Sequence, residues 1–263
     1  MKNNTIPIES LSDEDLYRLN IYHRTDDEHS FKQLHSLYGR VNAAQDATII
    51  NQVYGRRVLD VGAGYGSLSR RLLDSAFEVY SIEPNKDVRE LALAWHNVKE
   101  LPYSIYDTPF SSHFFDTVIL RECVEHLDMP RAMKEISRIC RMRLLIFQTN
   151  LNPLISLLRG ILGHHEYNPQ NLAYYRNCAN LAGFSVQNVL FRDILAFPLS
   201  GGYVSHSVIP RQPFIEHSII QIDEKLSRFF RFFGMDSIVS WRFLLIADKA
   251  ILYRREHEKV KTQ

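Results

Sequence analysis

The chain has 263 residues, 45% of them hydrophobic, and its 31 Lys and Arg nearly balance 30 Asp and Glu. A chain of this length can bury a substantial core, either as one large domain or as a domain with a cap. The charge balance excludes a global pull towards nucleic acid or an anionic membrane, and the three cysteines, Cys123, Cys140 and Cys178, lack metal-type spacing and suit a reducing, cytoplasmic setting. No apolar run approaches the roughly 20 residues of a membrane span, and Met1-Lys-Asn-Asn-Thr5 lacks the apolar stretch of a signal peptide. A protein without a transmembrane segment is expected.

Residues 1–9 read as a loose arm, and Ser12 can cap a helix whose first turn carries Asp13, Glu14 and Asp15. A helical extension then runs to about residue 53, with Tyr22, His23, Arg24, Tyr38 and Arg40 on a solvated surface. The stretch Arg57 to Arg71 reads as strand, glycine turn and helix. Val58, Leu59 and Val61 suit a strand buried on both faces, and Leu68, Leu72 and Leu73 recur at helical spacing. Between them, Gly62, Gly64 and Gly66 let the backbone take positive φ and expose main-chain N–H groups to a ligand. A second strand, Phe77 to Ile82, ends on Glu83, an acid placed to accept hydrogen bonds from two ribose hydroxyls. The glycines alternate instead of following G-x-G-x-x-G, and the loop has no basic side chain to hold a pyrophosphate. A nucleoside without phosphates fits better than a dinucleotide.

A helix follows from about Asn85, then a third strand over about 98–105 and a fourth over Phe115 to Leu120. Arg131 to Ile139 places Met133, Ile136 and Ile139 on one helix face, and Arg143 to Phe147 is a fifth strand. The connection Cys140-Arg-Met-Arg143 is tight. Beyond Asn150 come a helix from Pro153 to Leu162, a loop containing His164 and His165, and a helix from about Gln170 to Leu181 closed by Gly183. Ser185 to Phe191 is the sixth strand and Trp241 to Ala247 the last. The long connection between them, 193–240, contains Gly201-Gly202 and a helix over Phe214 to Phe233 with more aromatic surface than one core-facing stripe needs. The tail from Arg254 is charged.

Val58-Leu-Asp-Val-Gly-Ala-Gly-Tyr-Gly66 with Glu83, continued by Phe114 to Leu120, Glu122-Cys-Val-Glu-His126 and Leu181-Ala-Gly-Phe184, resembles the class I S-adenosylmethionine-dependent methyltransferases of the small-molecule type, such as ubiquinone-biosynthesis O-methyltransferases. The resemblance covers about residues 55–192 and the final strand. It implies an α/β fold with a doubly wound seven-stranded sheet of order 3-2-1-4-5-7-6, strand 7 antiparallel. It also implies a helical N-terminal extension or lid over residues 1–53, a methyltransferase domain over 54–263, and a cap inserted at 193–240. The implied cofactor is S-adenosylmethionine, held by Asp60, Gly62, Gly64, Gly66 and Glu83, with Arg121 and Glu122 bordering it. Asp60 has a second reading, as a residue that steadies the glycine loop. The family's acid for the adenine amino group falls on Ser104, so Ser104 or Asp107 takes that role.

Methyl transfer from a sulfonium is an in-line displacement, which needs alignment of the acceptor and exclusion of water. An oxygen acceptor also needs a base, and histidine suits neutral pH. His126 and His165, with Glu125, are the candidate catalytic residues. A small or medium acceptor, lipid-like or glycan-linked, is expected from the aromatic cap, which alternatively forms a homodimer contact. Three rival readings remain. If Glu122 to His126 is one helical turn, Glu122, Glu125 and His126 share a face and could bind a divalent ion with His164 or His165, as in RNA 2′-O-methyltransferases; the neutral charge speaks against RNA. The second rival is a non-catalytic cofactor-binding interaction protein. The third is a nicotinamide-dependent dehydrogenase, disfavoured by the glycine spacing.

Overall fold

The computed structural model describes residues 28–161, 170–200 and 212–249. The residues Tyr22, His23, Arg24, His164, His165, Gly201 and Gly202, and the tail from Arg254, lie outside the described residues. The described chain forms two compact units. Within it, no helix is long and apolar enough to cross a membrane.

One unit contains residues 49–149, 170–190 and 243–249. Its elements begin with β1 (Arg57–Val61), α2 (Ser67–Asp74), β2 (Glu78–Ile82) and α3 (Lys86–His96), α1 being the earlier helix Glu28–Ile50. Next come β3 (Phe115–Arg121), a single 3-10 turn (Val124–His126), α4 (Met129–Ile139), β4 (Cys140–Thr149), α6 (Leu172–Leu181), β5 (Phe184–Arg192) and β6 (Arg242–Lys249). The six strands lie in the order β2-β1-β3-β4-β6-β5. β1 pairs in parallel with both β2 and β3, β3 pairs in parallel with β4, and the C-terminal strands are antiparallel. β1 and β3 are apolar on both faces because helices cover both. Val58, Leu59, Val118, Ile119 and Leu120 have no exposed surface, and Val58 and Ile119 meet Leu68, Leu72, Leu145 and Phe147 in the core.

The sheet departs from expectation at its edge. The third strand expected over 98–105 shrinks to a bridge between Ile82 and Leu101, so among the described residues the sheet has six strands and not seven. The Leu101 N–H donates to the Ser81 carbonyl at 2.8 Å, and its carbonyl accepts from the Glu83 N–H at 3.1 Å. Pro102 follows and has no N–H to extend the ladder, which limits the pairing to one residue. The rest of the strand order agrees with the topology implied by the resemblance. The tight link expected at Cys140 to Arg143 is present: Cys140 both ends α4 and begins β4.

The second unit contains residues 28–48, 150–161, 191–200 and 212–242. It comprises most of α1, with α5 (Pro153–Ile161), α7 (Ala196–Ser200), α8 (Pro213–Phe232) and α9 (Asp236–Val239). Leu37 and Val41 of α1 pack with Ala196 and with Ile219 and Ile220 of α8. Arg40 pairs with buried Glu216 at 3.0 Å, and the Gln45 amide donates to Asp193 at 2.7 Å. The N-terminal helix and the 193–240 segment, far apart in the chain, thus share one small core.

Candidate functional site

The glycine loop has the geometry that its sequence suggests. Gly62, Gly64 and Gly66 have φ of +62°, +62° and +76°, values that a side chain strains. A Cβ on Gly62 would lie 2.8 Å from the Cys123 Cβ, and one on Gly66 would press on Val98 and Ala92. At Gly64 there is open space. The first and third glycines therefore permit packing behind the loop, and the middle one leaves its front clear for a ligand. Gly66 also starts α2, leaving that helix N-terminus without a capping side chain.

Asp60 lies beneath the loop, 1% exposed, and accepts from the Ser69 hydroxyl at 2.7 Å; Ser69 in turn lies 2.6 Å from the Ser81 hydroxyl. This chain ties β1, α2 and β2 together and gives Asp60 the steadying position. Glu83 is half-exposed at the tip of β2. Its carboxylate accepts from the Asn85 N–H at 3.0 Å and, at a longer 3.4 Å, from the Gly64 N–H. Asn85 caps α3, accepting from Asp87 and Val88, so the start of α3 and the aim of Glu83 are set by one turn. Arg89 on α3 donates to the Glu83 and Pro84 carbonyls at 2.7 and 2.8 Å. Tyr65 of the loop leans on Trp95 of the same helix, ring centres 5.3 Å apart.

Ser104 and Asp107 face each other across a tight turn, with the Asp107 N–H on the Ser104 carbonyl at 3.3 Å. Ser104 is half-exposed and Asp107 exposed. This turn is tied to α4: the Thr108 N–H and hydroxyl both donate to Glu135, at 3.1 and 2.6 Å, and Arg138 donates to the Phe110 carbonyl at 2.7 Å. The Arg138 guanidinium holds the Glu135 carboxyl below its ordinary range, so the tie is charged at neutral pH.

After β3 the structure corrects an expectation. Glu122 does not begin a helical turn. It has φ +51°, and the 3-10 turn starts only at Val124, so Glu122, Glu125 and His126 do not share a helical face. Among the described residues no group of three His, Cys, Asp or Glu could hold a metal ion. Glu125 instead accepts from the Gln148 amide at 2.9 Å and lies 3.5 Å from the exposed His126 ring. Arg121 and Glu122 are half-exposed where β3 leaves the sheet. Cys123 backs the glycine loop, its thiol donating to the Val61 carbonyl at 3.2 Å; burial, with Asp60, Glu83 and Glu125 nearby, pushes that thiol up and keeps it neutral.

One group here was not singled out from the sequence. Glu100, in the segment that meets β2, is buried, and its carboxyl is pushed up to about 8 by burial and by Asp60 and Glu83. Its place beside Lys99, between Val98 and Leu101, resembles an ordinary strand position. Only the packing shows that it is enclosed.

Residues 59–143 match the model of a family described as "Methyltransferase domain". Over 87 residues the chain is 30% identical to an uncharacterized methyltransferase of Mycobacterium tuberculosis (strain ATCC 25618 / H37Rv), which is 33% of this chain and 36% of that protein. Over 103 residues it is 31% identical to an uncharacterized methyltransferase of Anoxybacillus flavithermus (strain DSM 21510 / WK1), covering 35% of this chain and 48% of the relative. The chain thus spans a third to a half of the length of these curated relatives. Among solved structures it resembles magnesium protoporphyrin IX methyltransferase from Synechocystis PCC 6803, which holds S-adenosylhomocysteine, with a TM-score of 0.57 and 15% identity over 90% of this chain and 94% of that one. A methyltransferase from Archaeoglobus fulgidus gives 0.57 and 18% over 80% and 94%. At these identities the likeness is one of fold. The stretch from 59 to 143 thus matches a methyltransferase domain, and the fold is the Rossmann-like one of the solved methyltransferases.

Proposed function

We propose that the protein transfers a methyl group from S-adenosylmethionine to a small-molecule acceptor, at oxygen. The observation that carries the reading is the pairing of an open, positive-φ Gly64 with the carboxylate of Glu83, fixed by the Asn85 N–H. Such a cradle suits a ribose with two free hydroxyls and a neutral chain laid along main-chain N–H groups. When bound, the cofactor supplies an electrophilic methyl on a sulfonium. Glu83 accepts from the ribose, Gly62 to Gly66 admit the chain of the ligand, and the Ser104–Asp107 turn, held by α4, offers hydroxyl, carboxylate and main-chain partners to the adenine. Arg121 and Glu122 border the same cofactor where β3 ends.

For an oxygen acceptor, His126 takes the proton, with the Glu125 carboxylate 3.5 Å from its ring. His165 is the alternative base. The acceptor is apolar in part, lipid-like or glycan-linked, because α8 leaves Phe229, Phe232 and Phe233 more than half exposed. The same surface suits a second copy of the chain. Calorimetric titration with S-adenosylmethionine and with NAD, with and without a chelator, tests the reading. Binding of the first alone, indifferent to chelation, supports it, and binding of neither removes it. Methyl incorporation lost in His126→Ala and retained in His165→Ala would assign the base.

A further inference from the structure

Glu100 is the odd member of the acids around the cradle. Asp60 takes the Ser69 hydroxyl, and Glu83 takes the Asn85 and Gly64 N–H groups. Arg89, the nearby cation, donates to two main-chain carbonyls. Glu100 is 6% exposed, and neither of its carboxyl oxygens has a hydrogen-bond partner among the described residues. Its position is fixed from the next residue: Leu101 is bonded on both sides to the end of β2, through Ser81 and Glu83. A buried carboxyl lying beside a ligand cradle without a donor is costly as an anion, and two neighbouring acids make it costlier. The titratable and charged groups that act on it are Asp60 from β1, Glu83 from β2 and Arg89 from α3, and the acids outweigh the arginine.

We propose that Glu100 couples a proton to the charge of the bound nucleoside, giving up its proton to solvent when the ligand is the sulfonium cation and keeping it when the ligand is the neutral thioether product. This inference rests on the methyltransferase reading above. A sulfonium brings to the cradle the positive charge that Asp60, Glu83 and Glu100 lack, which favours the Glu100 carboxylate. S-Adenosylhomocysteine brings no such charge, so Glu100 stays protonated. Glu100 thereby becomes a specificity-determining residue that separates donor from spent product. Its ordinary state in the free protein agrees, since a carboxyl pushed up to about 8 is protonated at neutral pH.

The test is calorimetric titration of the full chain at pH 7 with S-adenosylmethionine and with S-adenosylhomocysteine, each in buffers of different ionisation enthalpy, for the wild type and Glu100→Gln. The amino group of each ligand contributes equally to both proteins, so the difference between them reports Glu100. The expected result is about one extra proton released by the wild type with the sulfonium, none with the thioether, and a donor-over-product preference reduced about tenfold in the variant. A second measurement needs no variant: in the wild type, the donor-to-product affinity ratio should rise from pH 6 to about 8 and level off above. Sulfonium binding with no extra proton release, or a flat ratio, overturns the proposal and leaves the methyltransferase reading intact. Binding of neither ligand overturns both.

Discussion

The cradle in one unit and the core of the other are each built from a different kind of contact. In the cofactor unit, the groups that shape the cradle are near neighbours in sequence: Asp60 with Ser69 and Ser81, Gly64 with Glu83, and Glu83 with Asn85. In the other unit the ties span long stretches of chain. Gln45 reaches Asp193, Arg40 reaches Glu216, and the buried Asn150 amide donates to the Ser237 and Ser240 carbonyls. Asp193 itself takes φ +63°, and Asp223 caps the start of α7 through the Leu195 and Ala196 N–H groups. Short spacings build the cradle, although its unit is also tied over long ones, as by Arg143 to Asp248, so a sequence motif can describe the cradle and says little about the other unit.

The largest effect is expected where the glycine loop packs against its own support. Gly62→Val combines a positive φ with a Cβ at 2.8 Å from the Cys123 Cβ, neither of which a rotamer change relieves. A loss of about 3–5 kcal/mol in urea unfolding is expected. Gly64→Ala meets open space and pays only for its backbone, about 1–2 kcal/mol. Equal losses in the two variants would mean that the loop is not braced by Cys123.

Glu100→Gln sets the next effect, and its sign follows from linkage. The folded chain keeps the Glu100 proton up to about pH 8, whereas an unfolded chain releases it near the ordinary 4.5. Its contribution to stability is therefore whole below about pH 4.5 and is lost as pH rises to about 8. Relative to the wild type, the glutamine variant should gain on the order of 2–4 kcal/mol between pH 5 and pH 9, read from chemical denaturation at each pH. Parallel stability curves for the two proteins would show that Glu100 is not enclosed as described.

These two sites also mark how far the sequence could be read. Alternating glycines and the acid at the tip of β2 are a local pattern, so the loop and Glu83 were legible, as were the helix start near Asn85 and the strand order around them. The third strand was overestimated because a run of suitable residues hides the effect of one proline, Pro102. The helical turn on which a shared face of Glu122, Glu125 and His126 depends does not form, because Glu122 takes a left-handed backbone, which the sequence does not signal. Glu100 was missed because the groups that act on it, Asp60, Glu83 and Arg89, come from other elements than its own segment. The sharing of one core by α1 and α8 leaves no trace in either stretch alone.

A middle-sized effect falls on the cofactor itself. Glu83→Ala removes the acceptor at the tip of β2 and should weaken S-adenosylmethionine binding by about 1–3 kcal/mol in calorimetry. Because Glu83 is half-exposed and its main-chain bonds to Leu101 persist, thermal unfolding of the free protein should change little. A variant that binds the cofactor unchanged would remove the ribose assignment, while one that unfolds early would make Glu83 a structural residue.

The smallest effect on stability is expected in the other unit, at the end of α8. Phe232 is 84% exposed and touches Phe233 edge-on, with ring centres 5.2 Å apart. Phe232→Ser removes little buried surface, so its unfolding free energy should stay within about 0.5 kcal/mol of the wild type. If α8 sets acceptor preference, the variant should bind S-adenosylmethionine normally and show a raised KM for an apolar acceptor with kcat largely kept. If α8 is instead a contact with a second copy, sedimentation should show a lighter species and KM should not move. A stability loss of several kcal/mol would mean that Phe232 is covered in solution, and the contrast between a locally built cradle and an exposed aromatic surface would fail at that point.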